Sequence, residues 1–130
     1  MNLRYPKGYA SDMKKLLAST LVLFALLSGC SAGESEDLSP QNSAIDVVID
    51  VRTPMEYAAG HVEGALNLDV ESGLFESSLE SLDKEVTYLV YCRSGRRSAI
   101  AADIMREKGF EVFDAGSLQN MSDLGWPIGQ

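Results

Sequence analysis

Histidine, cysteine and tryptophan are scarce in this 130-residue chain, which contains one histidine, one tryptophan and two cysteines. With a single histidine, a zinc site built by the protein would depend on carboxylate ligands, so the composition argues against a metal centre. Internal repeats and glycine-rich dinucleotide loops are also missing, and no cofactor is expected. The length suits one domain, and a monomer is favoured.

Positive charge is scarce as well, because 11 Lys and Arg residues face 19 Asp and Glu residues. From residue 30 onward, seven cations stand against 18 acidic residues, a formal charge of −11. So acidic a domain is not expected to bind nucleic acid or to lie on an anionic membrane surface, since both are negative. Three of the seven cations, Arg93, Arg96 and Arg97, nevertheless stand together, which indicates a local anion site.

The first thirty residues are typical of an export signal. Two lysines at 14–15 precede an apolar run at 16–27 that is too short to span a bilayer permanently. The run closes with Leu27-Ser28-Gly29-Cys30, which resembles the lipobox of bacterial lipoproteins. This resemblance implies that residues 1–29 are removed and that Cys30 is lipidated. Met13, directly before the lysines, is a more natural start than Met1.

We therefore expect the mature chain in the cell envelope, lipid-anchored through Cys30 and facing the periplasm. Ser31 after the cysteine, rather than aspartate, favours the outer membrane if the source is a Gram-negative bacterium. Residues 30–43 are rich in serine, glutamate and glycine and are predicted to be a flexible tether, with the folded domain at 44–130. With Cys30 committed to lipid, Cys92 has no cysteine partner for an intrachain disulfide.

Strand and helix patterns alternate along residues 45–130. The β-branched run at 45–51 predicts a strand buried on both faces, and Thr53-Pro54-Met55-Glu56 predicts a capped helix through residue 59. Further strands are predicted at 65–68, 87–91 and 112–113, and helices at 73–82, 98–108 and 118–124, with Leu74 and Ile100 facing inward. This alternation predicts an α/β fold, a small parallel sheet with helices on both faces, whose sites gather at the carboxyl ends of strands.

Cys92 stands where the strand predicted at 87–91 ends and a basic loop leads into a helix. Unpaired backbone N–H groups, the positive end of the helix dipole and the neighbouring arginines all favour the thiolate. Gly95 permits a left-handed turn, so the loop N–H groups can point inward at an anion. We expect Cys92 to be a nucleophile, with a buried structural cysteine as the alternative.

Two segments together resemble single-domain rhodaneses: Ile49 to Asn67, which includes Asp50-Val51-Arg52, and Val90 to Ser98 around the cysteine. The resemblance covers about residues 45–130. It implies a rhodanese-like fold and a sulfurtransferase in which Cys92 takes the outer sulfur of thiosulfate or a similar donor. The sulfur would be held as a persulfide and passed to cyanide or a thiol acceptor.

The resemblance also implies roles for the residues around Cys92. The loop N–H groups would stabilise the thiolate and the persulfide, and the arginines would attract the anionic donor and hold the departing sulfite. Asp50, Arg52 and Glu56 would lie near the loop as supporting residues, with Glu56 paired to Arg97. The loop residues concerned are Arg93, Ser94, Gly95, Arg96, Arg97 and Ser98.

Other positions fit this pattern less closely. Ala115-Gly116 stands where the family usually has paired glycines, and Asn120-Met121 stands where a tryptophan often follows; both concern the far wall of the pocket. His61, in a Gly-His-Val-Glu-Gly turn, is interpreted as a hydrogen-bonded anchor rather than a general base. Trp126 is interpreted as a core residue under the last helix.

Two alternative functions stay open. A cysteine phosphatase or arsenate reductase also uses a thiolate in an anion-binding loop, but its common loop has an arginine six residues after the cysteine, where this chain has Ser98. A loop one residue shorter suits a single sulfur atom better than a tetrahedral phosphate. The other alternative is a non-catalytic module that carries sulfur or binds a partner.

Overall fold

The computed structural model describes residues 35–130, so the predicted signal segment and Cys30 lie outside the described part. In chain order its elements are β1 (Val47–Asp50), α1 (Pro54–Ala58), β2 (His61–Val62), β3 (Leu66–Asn67), α2 (Phe75–Ser78), a 3₁₀ turn (Leu79–Ser81), β4 (Thr87–Cys92), α3 (Arg96–Glu107), β5 (Glu111–Ser117), α4 (Leu118–Asp123) and β6 (Ile128–Gly129). Within these residues no helix has the length and apolar character needed to cross a membrane.

The main sheet has four parallel strands in the order β3-β1-β4-β5, which confirms the predicted parallel α/β fold. Its two central strands are paired so that Ile49 lies beside Val90 and Asp50 beside Tyr91. The carboxyl ends of β1 and β4 therefore lie at the same edge. Cys92, the last residue of β4, stands at that edge.

Because successive side chains of a strand point to opposite faces, β4 contributes to two hydrophobic cores. Val90 and Cys92 belong to the core that includes the inward side of α3. Leu89 and Tyr91 belong to the other core, together with Met121 of α4. The prediction of helices on both faces is thus confirmed, and the near-continuous apolar run of β4 is explained by burial on both sides.

Helix α3 begins two residues before the predicted start and turns a different side inward. Its buried residues are Ser98, Ala101, Ala102 and Met105, which follow the i, i+3, i+4, i+7 spacing of one helical face. Ile100 lies off this stripe and is 45% exposed, so its predicted inward orientation was wrong. Leu74 was misplaced in the same way: it precedes α2 and is 67% exposed.

Two features of the strands were not predicted. Residues 60–64, expected to be only a turn, contain β2, which pairs antiparallel with β6. Each of these strands is two residues long, too short to carry an alternating pattern. Strand β5 runs to Ser117 rather than ending at residue 113. This extension was not predicted, because the second half of the strand is polar or small and shows no apolar pattern. The extension brings Ser117 beside Cys92.

Trp126 forms a hydrogen bond with a residue of the predicted tether. Its indole Nε1–H donates a hydrogen bond to the backbone oxygen of Leu38 at 2.8 Å. Both side chains pack against the core that contains Met121. Leu38, within the predicted 30–43 tether, therefore contacts the domain. The interpretation of Trp126 as a core residue is consistent with this half-buried position.

Candidate active site

The loop after β4 folds back on the cysteine sulfur. Strand β4 ends at Cys92 and α3 starts at Arg96, so only residues 93–95 separate them. Gly95 has a φ of +96°, the left-handed conformation expected from the sequence. Its N–H donates to Cys92 Sγ at 3.0 Å. The sulfur therefore lies within an arc of backbone donors at the N-terminus of a twelve-residue helix.

The hydrogen bonds around the sulfur favour its charged form. Cys92 is fully buried, and burial raises the pKa of its thiol. Hydrogen bonds from the backbone and hydroxyl of Ser98 and from the backbone N–H groups of Ser94 and Gly95 outweigh this effect, so the pKa of Cys92 is lowered. Ser98 Oγ lies 3.7 Å from Sγ. A thiolate at this position needs no separate general base.

Ser98 connects the loop to the neighbouring strand. Its side chain is completely buried, and its Oγ lies 3.0 Å from the carbonyl oxygen of Gly95 and 3.2 Å from that of Gly116 in β5. A hydroxyl has one proton and can donate to only one partner at a time. When Cys92 is a thiolate, the Ser98 hydroxyl can turn to donate to the sulfur instead.

Arg97 is held by Glu56 of α1 through two short hydrogen bonds. Its Nη1 and Nη2 donate to the two Glu56 carboxylate oxygens at 2.7 and 2.8 Å. The Arg97 guanidinium, assisted by Thr53, lowers the pKa of Glu56 to about 2, and Glu56 in turn raises the pKa of Arg97. The predicted pairing is therefore present. It occurs because the capping box at Thr53 and Glu56 starts α1 beside the loop.

A second carboxylate, from Glu71, approaches the same guanidinium. Glu71 Oε2 lies 3.6 Å from Arg97 Nη1, and the Glu71 side chain is 62% exposed. Sequence reasoning missed this residue, because Glu71 stands in a polar loop with no pattern around it. Arg93 and Arg96 are exposed, and in the described part of the chain neither has a carboxylate within 4.0 Å.

Asp50 and Arg52 form a buried ion pair on the other face of the sheet. Arg52 Nη2 lies 2.6 Å from Asp50 Oδ2, and Tyr91 donates its hydroxyl proton to the same oxygen at 2.7 Å. Arg52 also donates to the carbonyl oxygen of Gly60 at 2.7 Å. Because Tyr91 and Cys92 are adjacent in β4, their side chains point to opposite faces. Of the three predicted supporting residues, only Glu56 contacts the loop; the other two support Tyr91.

The remaining predicted positions have structural contacts. His61 Nδ1 lies 2.8 Å from the carbonyl oxygen of Tyr57, and the two rings stack at 3.6 Å, as expected of an anchor. Asn120 Nδ2 donates to the carbonyl oxygen of Ala115 at 2.7 Å, and Met121 is buried in the core. Hydrogen bonding and packing thus account for the two positions that depart from the usual pattern.

Comparison with known proteins identifies the same fold elsewhere. The rhodanese-like domain family matches residues 31–120. Thiosulfate sulfurtransferase PspE of Escherichia coli strain K12 is 37% identical over 75 residues, which cover 57% of this chain and 72% of PspE. A solved structure of a rhodanese with anions from E. coli superposes with a TM-score of 0.55 at 34% identity and covers 65% of this chain and 96% of that one.

One similar protein is named as a phosphatase rather than as a sulfurtransferase. M-phase inducer phosphatase 2 of Homo sapiens is 33% identical over 118 residues, which cover 85% of this chain. The match spans only 19% of that protein. The similarity therefore concerns only a part of a longer chain. Sulfur and phosphate chemistry have to be distinguished by the geometry of the loop around Cys92.

The Glu56–Arg97 pair predicts a pH-dependent effect on stability. Replacing Glu56 by glutamine keeps a side-chain acceptor for the capping box but removes the charge, so we expect the free energy of unfolding at neutral pH to fall by about 2 kcal/mol. Glu56 has a pKa of about 2 in the folded protein, below its ordinary value of about 4.3. Its stabilising effect is therefore complete above pH ~4.3 and is lost as the pH falls toward about 2.

Urea unfolding of the wild type and of Glu56→Gln across this pH range measures the effect. Asp103→Asn is the control, because its ion pair with Arg106 is at least half exposed and contributes about 0.5 kcal/mol or less. A constant difference between wild type and Glu56→Gln from neutral pH down to about pH 2.5 would contradict this account.

Proposed function

Because this chain belongs to the rhodanese-like family, we propose that it is a sulfurtransferase whose nucleophile is Cys92. The relatives of this family include thiosulfate sulfurtransferases. The observation that carries the proposal is the N–H of Gly95 directed at Cys92 Sγ at 3.0 Å within the loop that starts α3. Such a loop stabilises a negative sulfur, and the reaction requires a negative sulfur at two stages.

In the first stage, the Cys92 thiolate attacks the outer sulfur of thiosulfate or a similar donor. A bond forms between Sγ and this sulfur, and the bond from the outer sulfur to the sulfonate group breaks. Sulfite leaves with the bonding electron pair and both of its negative charges. Cys92 is then a persulfide that carries one negative charge on its terminal sulfur, so charge and atoms balance.

In the second stage, a cyanide ion or a thiolate attacks the terminal sulfur of the persulfide. The bond between the two sulfur atoms breaks, and its electron pair returns to Sγ. The products are thiocyanate or an organic persulfide, together with the starting thiolate. No proton has to move in either stage, which is consistent with a site that offers no general base beside Cys92.

Backbone N–H groups of the loop, that of Gly95 above all, are positioned to stabilise both anions. The Gly95 N–H is directed at the sulfur, and the backbone of Ser94 and Ser98 also helps to lower the pKa of Cys92. These donors are fixed by the backbone and cost little reorganisation during the reaction.

The arginines have different tasks. Arg93 and Arg96 are exposed and available to attract the anionic donor and to hold the departing sulfite. Arg97 was expected to share this task, but Glu56 engages both of its terminal nitrogens. We assign Arg97 a positioning role: it joins the first turn of α3 to α1 and so fixes the loop.

Phosphatase activity is less well supported, although one relative bears that name. The common phosphatase loop has an arginine six residues after the cysteine to bind the phosphate, and that position here is Ser98. Ser98 is buried and bonded to backbone carbonyls. The guanidinium one residue earlier, that of Arg97, is paired with carboxylates. Hydrolysis of an aryl phosphate that is lost on Cys92→Ser would overturn the choice of sulfur.

The mass of the intact protein tests the persulfide directly. After treatment with thiosulfate, we expect the mass to increase by one sulfur atom, because the loop stabilises the terminal sulfur anion. The increase should disappear on addition of cyanide, with release of thiocyanate, and should not form in Cys92→Ser. No adduct with any sulfur donor would contradict the proposal, and an adduct without repeated turnover would instead identify a sulfur carrier.

We also propose that Cys30 carries a lipid and anchors the domain at the periplasmic side of the cell envelope. The support is the basic segment, the apolar run and the tetrad at 27–30 in the sequence. The mass of the chain purified from membranes should correspond to a lipidated protein that begins at Cys30. A mature chain that retains residues 1–29 would contradict this, whatever the result for Cys92.

A further inference from the structure

We propose that Glu71 is a specificity-determining residue that biases the site against dianionic sulfur donors and toward donors with a single negative charge. This inference rests on the sulfurtransferase function proposed above and names the donor class within it. It is carried by the position of the Glu71 carboxylate beside Arg97, at the edge of the sheet where Cys92 lies.

The backbone brings Glu71 to this edge. The N–H of Leu68 donates to the carbonyl oxygen of Asp50 at 3.0 Å, and the N–H of Val70 donates to that of Val51 at 3.2 Å. The segment that follows β3 thus runs along the carboxyl end of β1, beside the end of β4. Glu71 is the next residue, and its carboxylate lies 3.6 Å from Arg97 Nη1.

Glu71 faces solvent to a greater degree than the other carboxylate on Arg97. Its side chain is 62% exposed, whereas that of Glu56 is 27% exposed. Glu56 already supplies an acceptor to each terminal nitrogen of Arg97. Glu71 is therefore not needed to neutralise the guanidinium, and its negative charge remains beside Arg97 as an excess.

The excess charge changes what the loop can attract. Arg97 with its two carboxylates carries a net single negative charge, and the Cys92 thiolate carries another. Arg93 and Arg96 supply two positive charges, so the site in its reactive state has no net charge. A dianion then gains little from the loop as a whole. A loop with three unpaired arginines would have attracted it strongly.

Electrostatic work is proportional to the charge of the approaching ion, which makes the proposal measurable. Removing the Glu71 charge lowers the barrier for a dianion by twice the amount that it lowers the barrier for a monoanion. For an exposed carboxylate we expect kcat/KM to rise roughly twofold for a monoanionic donor and roughly fourfold for thiosulfate. The ratio of the two values should therefore rise roughly twofold.

The experiment compares Glu71→Gln with wild type, using thiosulfate as the dianion and methanethiosulfonate as the monoanion. Both donors transfer their outer sulfur by the same displacement. The leaving group is sulfite from thiosulfate and methanesulfinate from methanethiosulfonate. At low ionic strength the ratio of kcat/KM values should rise in Glu71→Gln, and the rise should shrink in high salt. Glu71→Asp, which keeps the charge, should retain the wild-type ratio.

Glu76→Gln is the matched control. Glu76 is also a surface glutamate, 66% exposed, and forms an ion pair at 3.0 Å with Lys108, which follows the far end of α3. Its neutralisation should leave the donor ratio unchanged. A wild-type ratio in Glu71→Gln, with both donors still turned over, would overturn this inference alone. Failure of the wild type to react with either donor would overturn the proposed function as well.

Discussion

The hydrogen bond from the Gly95 N–H to Cys92 Sγ is the contact on which the site depends. It requires β4 to end at the cysteine, α3 to begin at Arg96 and the glycine between them to adopt a positive φ. A side chain at this glycine would be strained in that conformation, whatever space surrounds it. Ser98 Oγ, which lies within hydrogen-bond distance of the carbonyl oxygens of Gly95 and of Gly116 in β5, stands at the closing side of the arc. The anion-stabilising geometry is therefore a property of the backbone.

Charged side chains support this arc from two sides of the sheet. On the side of Cys92, Glu56 ties Arg97 and with it the first turn of α3. On the opposite side, Asp50, which is paired with Arg52, accepts a hydrogen bond from the Tyr91 hydroxyl. This bond fixes the strand that carries the cysteine. Breaking a buried pair such as Asp50–Arg52 leaves an uncompensated charge and costs several kcal/mol. The position of the cysteine sulfur thus depends on ion pairs on both faces of the sheet.

The parts of this arrangement that are local in sequence were predictable. The capping box at Thr53, the glycine turn after Cys92 and the strand–helix alternation of the parallel sheet each have a pattern of their own. The parts that depend on tertiary contacts have no such pattern. The Glu56–Arg97 pair, whose members are 41 residues apart, was expected only from the resemblance to a family. Glu71 approaches Arg97 only because residues 68–70 are hydrogen-bonded along the carboxyl end of β1. Strand β2 pairs with β6, which comes from the other end of the domain sequence. No short-range signal encodes such contacts.

The most direct test of the central claim is a titration of the Cys92 thiolate by its ultraviolet absorbance, with Cys92→Ser as the background. The loop should hold the midpoint below the ordinary thiol value of about 8.5. Ser98→Ala should raise the midpoint, because the hydroxyl no longer donates to the sulfur, whereas Ser81→Ala, whose hydroxyl bonds only to Ser78, should not. A wild-type midpoint at or above the ordinary value, unchanged by Ser98→Ala, would contradict the claim that the loop activates this cysteine.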